Sequence, residues 1–167
     1  MIDEAGDPLP RGTSGELFVR SPGLAKGYYR DPAATAAAFI RGGMRTGDVA
    51  RIDEDGLIYY EDRKKDVINR GGLKIASVAV EEVLFRHPAV REVAVIAIPH
   101  PALGEDVAAC VVLAEGQAAS AEDLARWCEG RLADNARPRH WRFLPALPKN
   151  PMGKVLKREL RQEFAAG

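Results

Sequence analysis

Cysteine is scarce in this chain, aromatic residues make up only 7% of its 167 residues, and neither sign of charge is in excess, 24 basic side chains balancing 24 acidic ones. The two cysteines, Cys110 in an apolar run and Cys128 in a predicted helix, are too few for a disulfide framework and lack metal-ligand spacing. Both are expected as small buried residues in a reducing compartment. A net charge of zero argues against a polyanion-binding surface spread over the molecule, so no nucleic-acid partner is expected. No apolar run approaches the roughly 18 residues of a transmembrane segment. Met1-Ile2-Asp3-Glu4 has neither the basic flank nor the apolar core of a signal peptide, which makes the cytoplasm the expected compartment. No serine, histidine and acid set stands out, and no His/Cys grouping has metal spacing. His87, His100 and His140 lie at or near predicted element ends, where capping or surface roles are expected.

The zero net charge conceals an asymmetry. Residues 1 to 62 carry 7 basic and 11 acidic groups, whereas residues 63 to 167 carry 17 basic and 13 acidic. The sign changes at Glu61-Asp62-Arg63-Lys64-Lys65-Asp66, a candidate boundary. Before it the pattern is strands and turns. Glu16-Leu17-Phe18-Val19-Arg20 reads as a strand, Gly27-Tyr28-Tyr29 as a short extended piece, and Asp31-Pro32 as the cap and first position of an alanine-rich helix reaching Phe39. Arg45-Thr46-Gly47-Asp48 then precedes a strand at 49–52, and Asp53-Glu54-Asp55-Gly56 is a turn before a strand at 57–60.

Beyond residue 65 strands and helices alternate. Asp66 to Asn69 and Leu73 to Ile75 can pair as a hairpin about Arg70-Gly71-Gly72, after which Ser77 can cap a helix with Val80, Val83 and Leu84 on one face. The unbroken apolar runs 93–98 and 107–113 are expected as central strands covered by helices. Ser120 with Asp123 forms an acidic capping-box variant ahead of Leu124 and Cys128. Trp141 to Leu144 is a short strand, and Val155 to Phe164 a last helix with Leu156, Leu160 and Phe164 in line. Two loops draw notice. Arg70-Gly71-Gly72 suits either a turn needing positive φ or close approach of a ligand to the backbone. Asn150-Pro151-Met152-Gly153-Lys154 places a lysine on an exposed loop, from which one ammonium could reach a phosphate or carboxylate.

A set of motifs in fixed order carries a resemblance: Gly15-Glu16-Leu17-Phe18-Val19, Gly27-Tyr28-Tyr29, Arg45-Thr46-Gly47-Asp48, Asp62-Arg63-Lys64-Lys65-Asp66 leading into Arg70-Gly71-Gly72, Val80-Glu81-Glu82-Val83-Leu84 with His87-Pro88-Ala89-Val90, Gly104-Glu105, and Pro148-Lys149 with Gly153-Lys154. Over about residues 14 to 160 the chain resembles the C-terminal third of the adenylate-forming acyl-CoA and aryl-CoA synthetases, the AMP-binding superfamily that includes firefly luciferase. The fold this implies is α+β: residues 1–64 look like the distal β-rich part of a large N-terminal adenylation domain, and residues 65–167 like the small mobile C-terminal domain, a hairpin plus a mixed central sheet covered by helices. Lys65 matches the hinge.

The resemblance also implies roles. Asp48 matches the aspartate that accepts hydrogen bonds from both ribose hydroxyls of ATP, and Arg63 the arginine that helps hold the nucleotide. Lys154 matches the catalytic lysine of acid adenylation. Rotation of the small domain would then bring the turn at Gly71 and Gly72 to the site, lining a channel for the pantetheine thiol of coenzyme A. Ala79 stands where the family commonly has glutamate, and Asn69 where some relatives have lysine. The parent enzyme is expected to be an AMP-forming acid–CoA ligase acting on a fatty or aromatic carboxylic acid. Its cofactors are ATP, Mg2+ and coenzyme A, with the Mg2+ ligands and acid pocket in the remainder of the large domain. The chain alone is expected to be inactive. An accessory or carrier-interacting module without catalysis, or an adenylation domain that loads a carrier protein, are the alternatives.

Overall fold

Two compact units divide the chain, one from Met1 to Lys65 and one from Asp66 onward. The structure, a computed structural model, describes residues 1–165. In the first unit β1 (Gly15–Val19), β2 (Phe39–Ile40) and β4 (Ile58–Arg63) all pair antiparallel with the long β3 (Gly43–Ile52). The helix α1 (Pro32–Ala38) begins as its sequence requires. The Asp31 carboxylate accepts the Ala34 amide at 2.8 Å, and Pro32 takes a first-turn position where the amide it lacks has no helical partner.

Two local expectations fail here. Gly27-Tyr28-Tyr29 forms a turn with a single bridge, Tyr28 to Asp31, because the Thr35 hydroxyl accepts the Tyr28 amide at 2.9 Å and diverts it from any ladder. Thr46-Gly47-Asp48 lies inside β3 and not ahead of it. Glu16 faces Val49 and Phe18 faces Arg45, so Leu17 alone opposes residues 46 to 48, and Gly47 takes φ +74° at this bulge.

The second unit is a five-stranded sheet between two helical layers. β5 (Ile68–Arg70), β6 (Leu73–Ile75), β7 (Val90–His100) and β8 (Gly104–Leu113) follow the order β6-β5-β8-β7, and β9 (His140–Phe143) pairs parallel with β8. Val107, Ala109 and Val111 of β8 point into a cluster with Val80 and Leu84 of α2 (Ser77–Phe85) and Leu124 and Cys128 of α3 (Ala121–Cys128). Ala108, Cys110 and Val112 point the other way, toward Leu147 and Leu160, the latter on α4 (Lys157–Ala165). Burial on both faces explains why the run 107–113 shows no polar alternation. Each large aliphatic side chain so buried contributes about 1.5–3 kcal/mol.

The sequence makes the run 93–98 a second central strand, and the sheet order differs. Of the two runs β8 is central, while β7 pairs with β8 alone among the described strands and still has both faces covered, Val95 on one and Ile96 on the other. The capping box at Ser120 and Asp123 forms as expected. Ser77 is not a cap. Ala76 holds that position without a side-chain bond, and the fully buried Ser77 hydroxyl instead accepts Lys157 Nζ at 2.7 Å. Both cysteines are fully buried, and burial pushes each thiol up to about 11.

Candidate functional site

In the first unit the bulge in β3 sets Asp48 against Arg63 of β4. The two are register partners, and Arg63 Nε lies 2.8 Å from Asp48 Oδ1 in an ion pair. Thr46 Oγ1 accepts the Asp48 amide at 3.1 Å and donates to the Leu17 carbonyl at 3.0 Å, so the turn holds its own conformation. One Asp48 oxygen thus rests on a guanidinium, and the carboxylate, about a quarter exposed, keeps lone pairs to which a diol could donate.

Beneath the turn sits a carboxylate to which sequence reasoning assigned no role. Glu16 is buried, and it accepts Arg45 Nε at 3.0 Å, Lys64 Nζ at 3.1 Å and the Gly47 amide at 3.2 Å. Burial pushes its carboxyl up, but Lys64 and Arg45 outweigh that effect and hold it below the ordinary 4.5. Lys64 is tied a second time, its amide donating to the Gly47 carbonyl at 2.8 Å. The chain is therefore anchored to the first unit up to Lys64, and Lys65, in a turn, is the last residue before the second unit.

In the second unit Gly71 and Gly72 form the two-residue turn between β5 and β6, with φ +59° and +86°. Positive φ at both centres is the geometry that matches strand twist in a tight hairpin. An added Cβ at Gly72 would meet no atom within 4 Å, so the turn itself leaves this backbone open. Lys154 stands on a different loop, closed by Asn150: its side-chain oxygen accepts the Met152 amide at 3.1 Å and the Lys154 amide at 2.9 Å, while its backbone amide donates to the Lys154 carbonyl at 2.9 Å. Lys154 is exposed, with no ion pair among the described residues. Neighbouring Lys149 is spent on Glu92 at 2.6 Å, and Lys157 on Glu81 at 2.7 Å.

Of the candidate residues, Asp48 and Arg63 are thus brought together within the first unit, while within the second Gly71 and Gly72 share one turn and Lys154 stands on another loop. Glu16, Lys64 and Asn150 support these places, and although each lies in a segment that the sequence marks, the supporting role of each escapes a reading of the sequence. A buried charge leaves no local trace there, although the proline and glycine flanking Lys154 do mark its loop. Among the described residues no group of three or more His, Cys, Asp or Glu could hold a metal ion. No described helix is long and apolar enough to cross a membrane.

Comparison with known proteins gives this geometry a context. Residues 79–154 match the AMP-binding enzyme C-terminal domain. The chain is 40% identical over 161 residues to a long-chain-fatty-acid–CoA ligase of Bacillus subtilis, covering 96% of this chain and 29% of that protein. It is 40% identical over 164 residues to a feruloyl-CoA synthase of Amycolatopsis, covering 98% of this chain and 33% of that protein. Among solved structures, ATP-bound MatB from Rhodopseudomonas palustris superposes with a TM-score of 0.90 at 36% identity, over 98% of this chain and 33% of that one. The chain spans about a third of the length of the relatives it matches.

Proposed function

The chain belongs to the adenylate-forming enzymes of the AMP-binding superfamily, and from that premise we propose that it supplies the distal β-rich part of the large domain, residues 1–64, and the mobile small domain, residues 65–167, of an ATP-dependent acid–CoA ligase. The acid is a fatty or aromatic carboxylate, in keeping with the fatty-acid and feruloyl specificities in the names of the relatives. The observation that carries the reading is that Asp48 pairs with Arg63 within the first unit while, within the second, the Gly71-Gly72 turn and Lys154 stand on different loops, each suited to a different part of a two-step reaction.

Asp48 offers a fixed carboxylate to the vicinal ribose hydroxyls of ATP, while Arg63 orients it and adds donors for the nucleotide. Lys154, presented by the Asn150 loop, places its ammonium between the acid carboxylate and the α-phosphate as negative charge shifts toward pyrophosphate. Release of pyrophosphate leaves the acyl-adenylate. Turning about Lys65 then removes Lys154 and brings in the Gly71-Gly72 turn, where the bare backbone at Gly72 leaves room for the pantetheine thiol. The thiol attacks the acyl carbon, AMP leaves, and the thioester is formed. Mg2+ supplies charge neutralisation on the phosphates when bound; no group of three or more potential ligands is available for it among the described residues.

In the full-length enzyme Lys154→Ala should slow adenylation by two to three powers of ten, about 3–4 kcal/mol, the size of losing one preorganised donor. Thioester formation from supplied acyl-adenylate should be nearly unchanged. Gly72→Leu should do the reverse. Pyrophosphate exchange and thioester release follow the two steps separately, and equal damage to both steps by both substitutions would overturn the reading in favour of one fixed site.

A further inference from the structure

The hairpin that carries Gly71 and Gly72 is too small to orient itself. β5 and β6 pair over three residues each, and β5 meets β8 at a single position, Arg70 opposite Gly104. A two-stranded hairpin of that size is marginal in water, and one pair of the ladder fixes neither its tilt nor its register. Ile68 and Ile75 seat its two strands in the core, and a row of contacts to the β7–β8 turn and the start of β8 holds its tip. The Asn69 amide donates to Glu105 Oε2 at 2.7 Å, Arg70 Nε donates to Asp106 Oδ1 at 2.6 Å, and the Gly71 amide donates to the Leu103 carbonyl at 2.8 Å. Three consecutive hairpin residues are thus each held by a different residue of the 103–106 segment.

The receiving segment is itself held. His100 Nδ1 accepts the Ala102 and Leu103 amides at 3.2 and 3.1 Å, and Asp106 Oδ1 also accepts the Val107 amide at 2.8 Å. The Asp106 side chain is only 5% exposed and that of Arg70 20%, so their bond is little weakened by solvent, and His140 Nε2 lies 3.6 Å from the second Asp106 oxygen.

We propose that Asp106, acting through Arg70, and Glu105, acting through the Asn69 amide, are positioning residues for the thiol acceptor, presetting the Gly71-Gly72 turn that lines its channel. The inference rests on the reading of that turn given above. Neither carboxylate touches a reactant. Their effect is confined to the step in which the turn is at the site, and adenylation, which uses Lys154 on another loop, does not draw on them.

The test uses the full-length enzyme with coenzyme A as the probe. Asp106→Asn keeps the size of the side chain and removes the charge that binds Arg70. Glu105→Gln does the same at a less buried position and serves where Asp106→Asn folds poorly. Pyrophosphate exchange should stay within about twofold of the parent for both variants. The kcat/KM for coenzyme A in thioester formation from supplied acyl-adenylate should fall at least tenfold for Asp106→Asn and about threefold for Glu105→Gln, with the KM for ATP unmoved. Arg70→Lys, which keeps the cation and loses the planar fork, should fall between the parent and Asp106→Asn. A merely structural role would lower both half-reactions together through lost folded protein, and that result overturns the proposal, as does unchanged thioester formation in both carboxylate variants. If Gly72→Leu impairs adenylation as much as thioester formation, the failure lies with the underlying two-step reading.

Discussion

The first unit is held largely by backbone ladders and ion pairs, the second by apolar burial. Ile2 and Ala50 are the buried apolar residues of the first unit among the described residues, whereas both hydrophobic clusters belong wholly to the second. Leu57, Ile58, Tyr59 and Tyr60 of the first unit remain exposed, while Glu16 gathers Arg45 and Lys64 in its interior. A sheet with so little apolar area removed from water gains little from the hydrophobic effect, the main driving force of folding, and its ion pairs are worth less than that area would be.

The sequence supplies separate probes for the two halves. All four tyrosines lie before residue 61, and both tryptophans and both cysteines lie after residue 109. The largest expected effect is that of Leu160→Ala, which empties part of the cluster around Cys110 and should cost about 2–5 kcal/mol. Tryptophan emission in denaturant should show the lower midpoint, and labelling of the Cys110 thiol, slow in the parent because burial holds it up at about 11, should quicken. Tyrosine signals should keep their midpoint. Should they shift with tryptophan, the units are one cooperative block and the contrast between them is void.

Amide exchange on the unmodified chain sharpens the same contrast without a mutation. Amides of β8 should exchange at least a hundredfold more slowly than those of β1 and β3, about 2.7 kcal/mol of extra protection. Equal protection factors in the two sheets would show that the sparse burial of the first unit is compensated elsewhere.

The smallest effect is in acid. The Asp106 carboxyl is raised by burial, but its bonds to Arg70 and the Val107 amide outweigh that and leave it below the ordinary 3.8, and Glu16 likewise lies below 4.5. For a carboxyl lowered on folding, the stabilisation is complete above the unfolded-state value and is lost as pH falls toward the folded one. The tyrosine-reported half should therefore begin to weaken near pH 4.5, and the tryptophan-reported half closer to 3.8. Glu16→Gln should flatten the first decline only, and Asp106→Asn the second only. A common acid transition unaffected by either substitution would show that neither carboxyl governs acid stability.

Much of the secondary structure was legible because its signals are local. Asp31 and Pro32 start α1, Ser120 and Asp123 start α3, and two glycines turn the hairpin at 71 and 72, each within a span of four residues. The errors arose where a distant group competed for a local one. Thr35 took the Tyr28 amide, and Lys157 took the Ser77 hydroxyl across 80 residues of chain. The site was half legible: Gly47, Asp48, Arg63 and Lys154 stand in ordered motifs, and so do Glu16 and Lys64, but no motif says that Glu16 holds Lys64 and the Gly47 amide.

The sequence by itself determined where α1 and α3 begin, that both faces of β8 could be buried, and that the glycines at 71 and 72 turn a hairpin. Only the tertiary structure decided that Glu16 meets Lys64 across 48 residues, and that Arg70 meets Asp106 across 36. The reason lies in range. Capping and φ preferences act within a turn or two of the chain, whereas the partner of a carboxylate depends on sheet register and burial set by the whole fold. A glutamate read alone is as well suited to water as to the interior, and the surrounding strands choose.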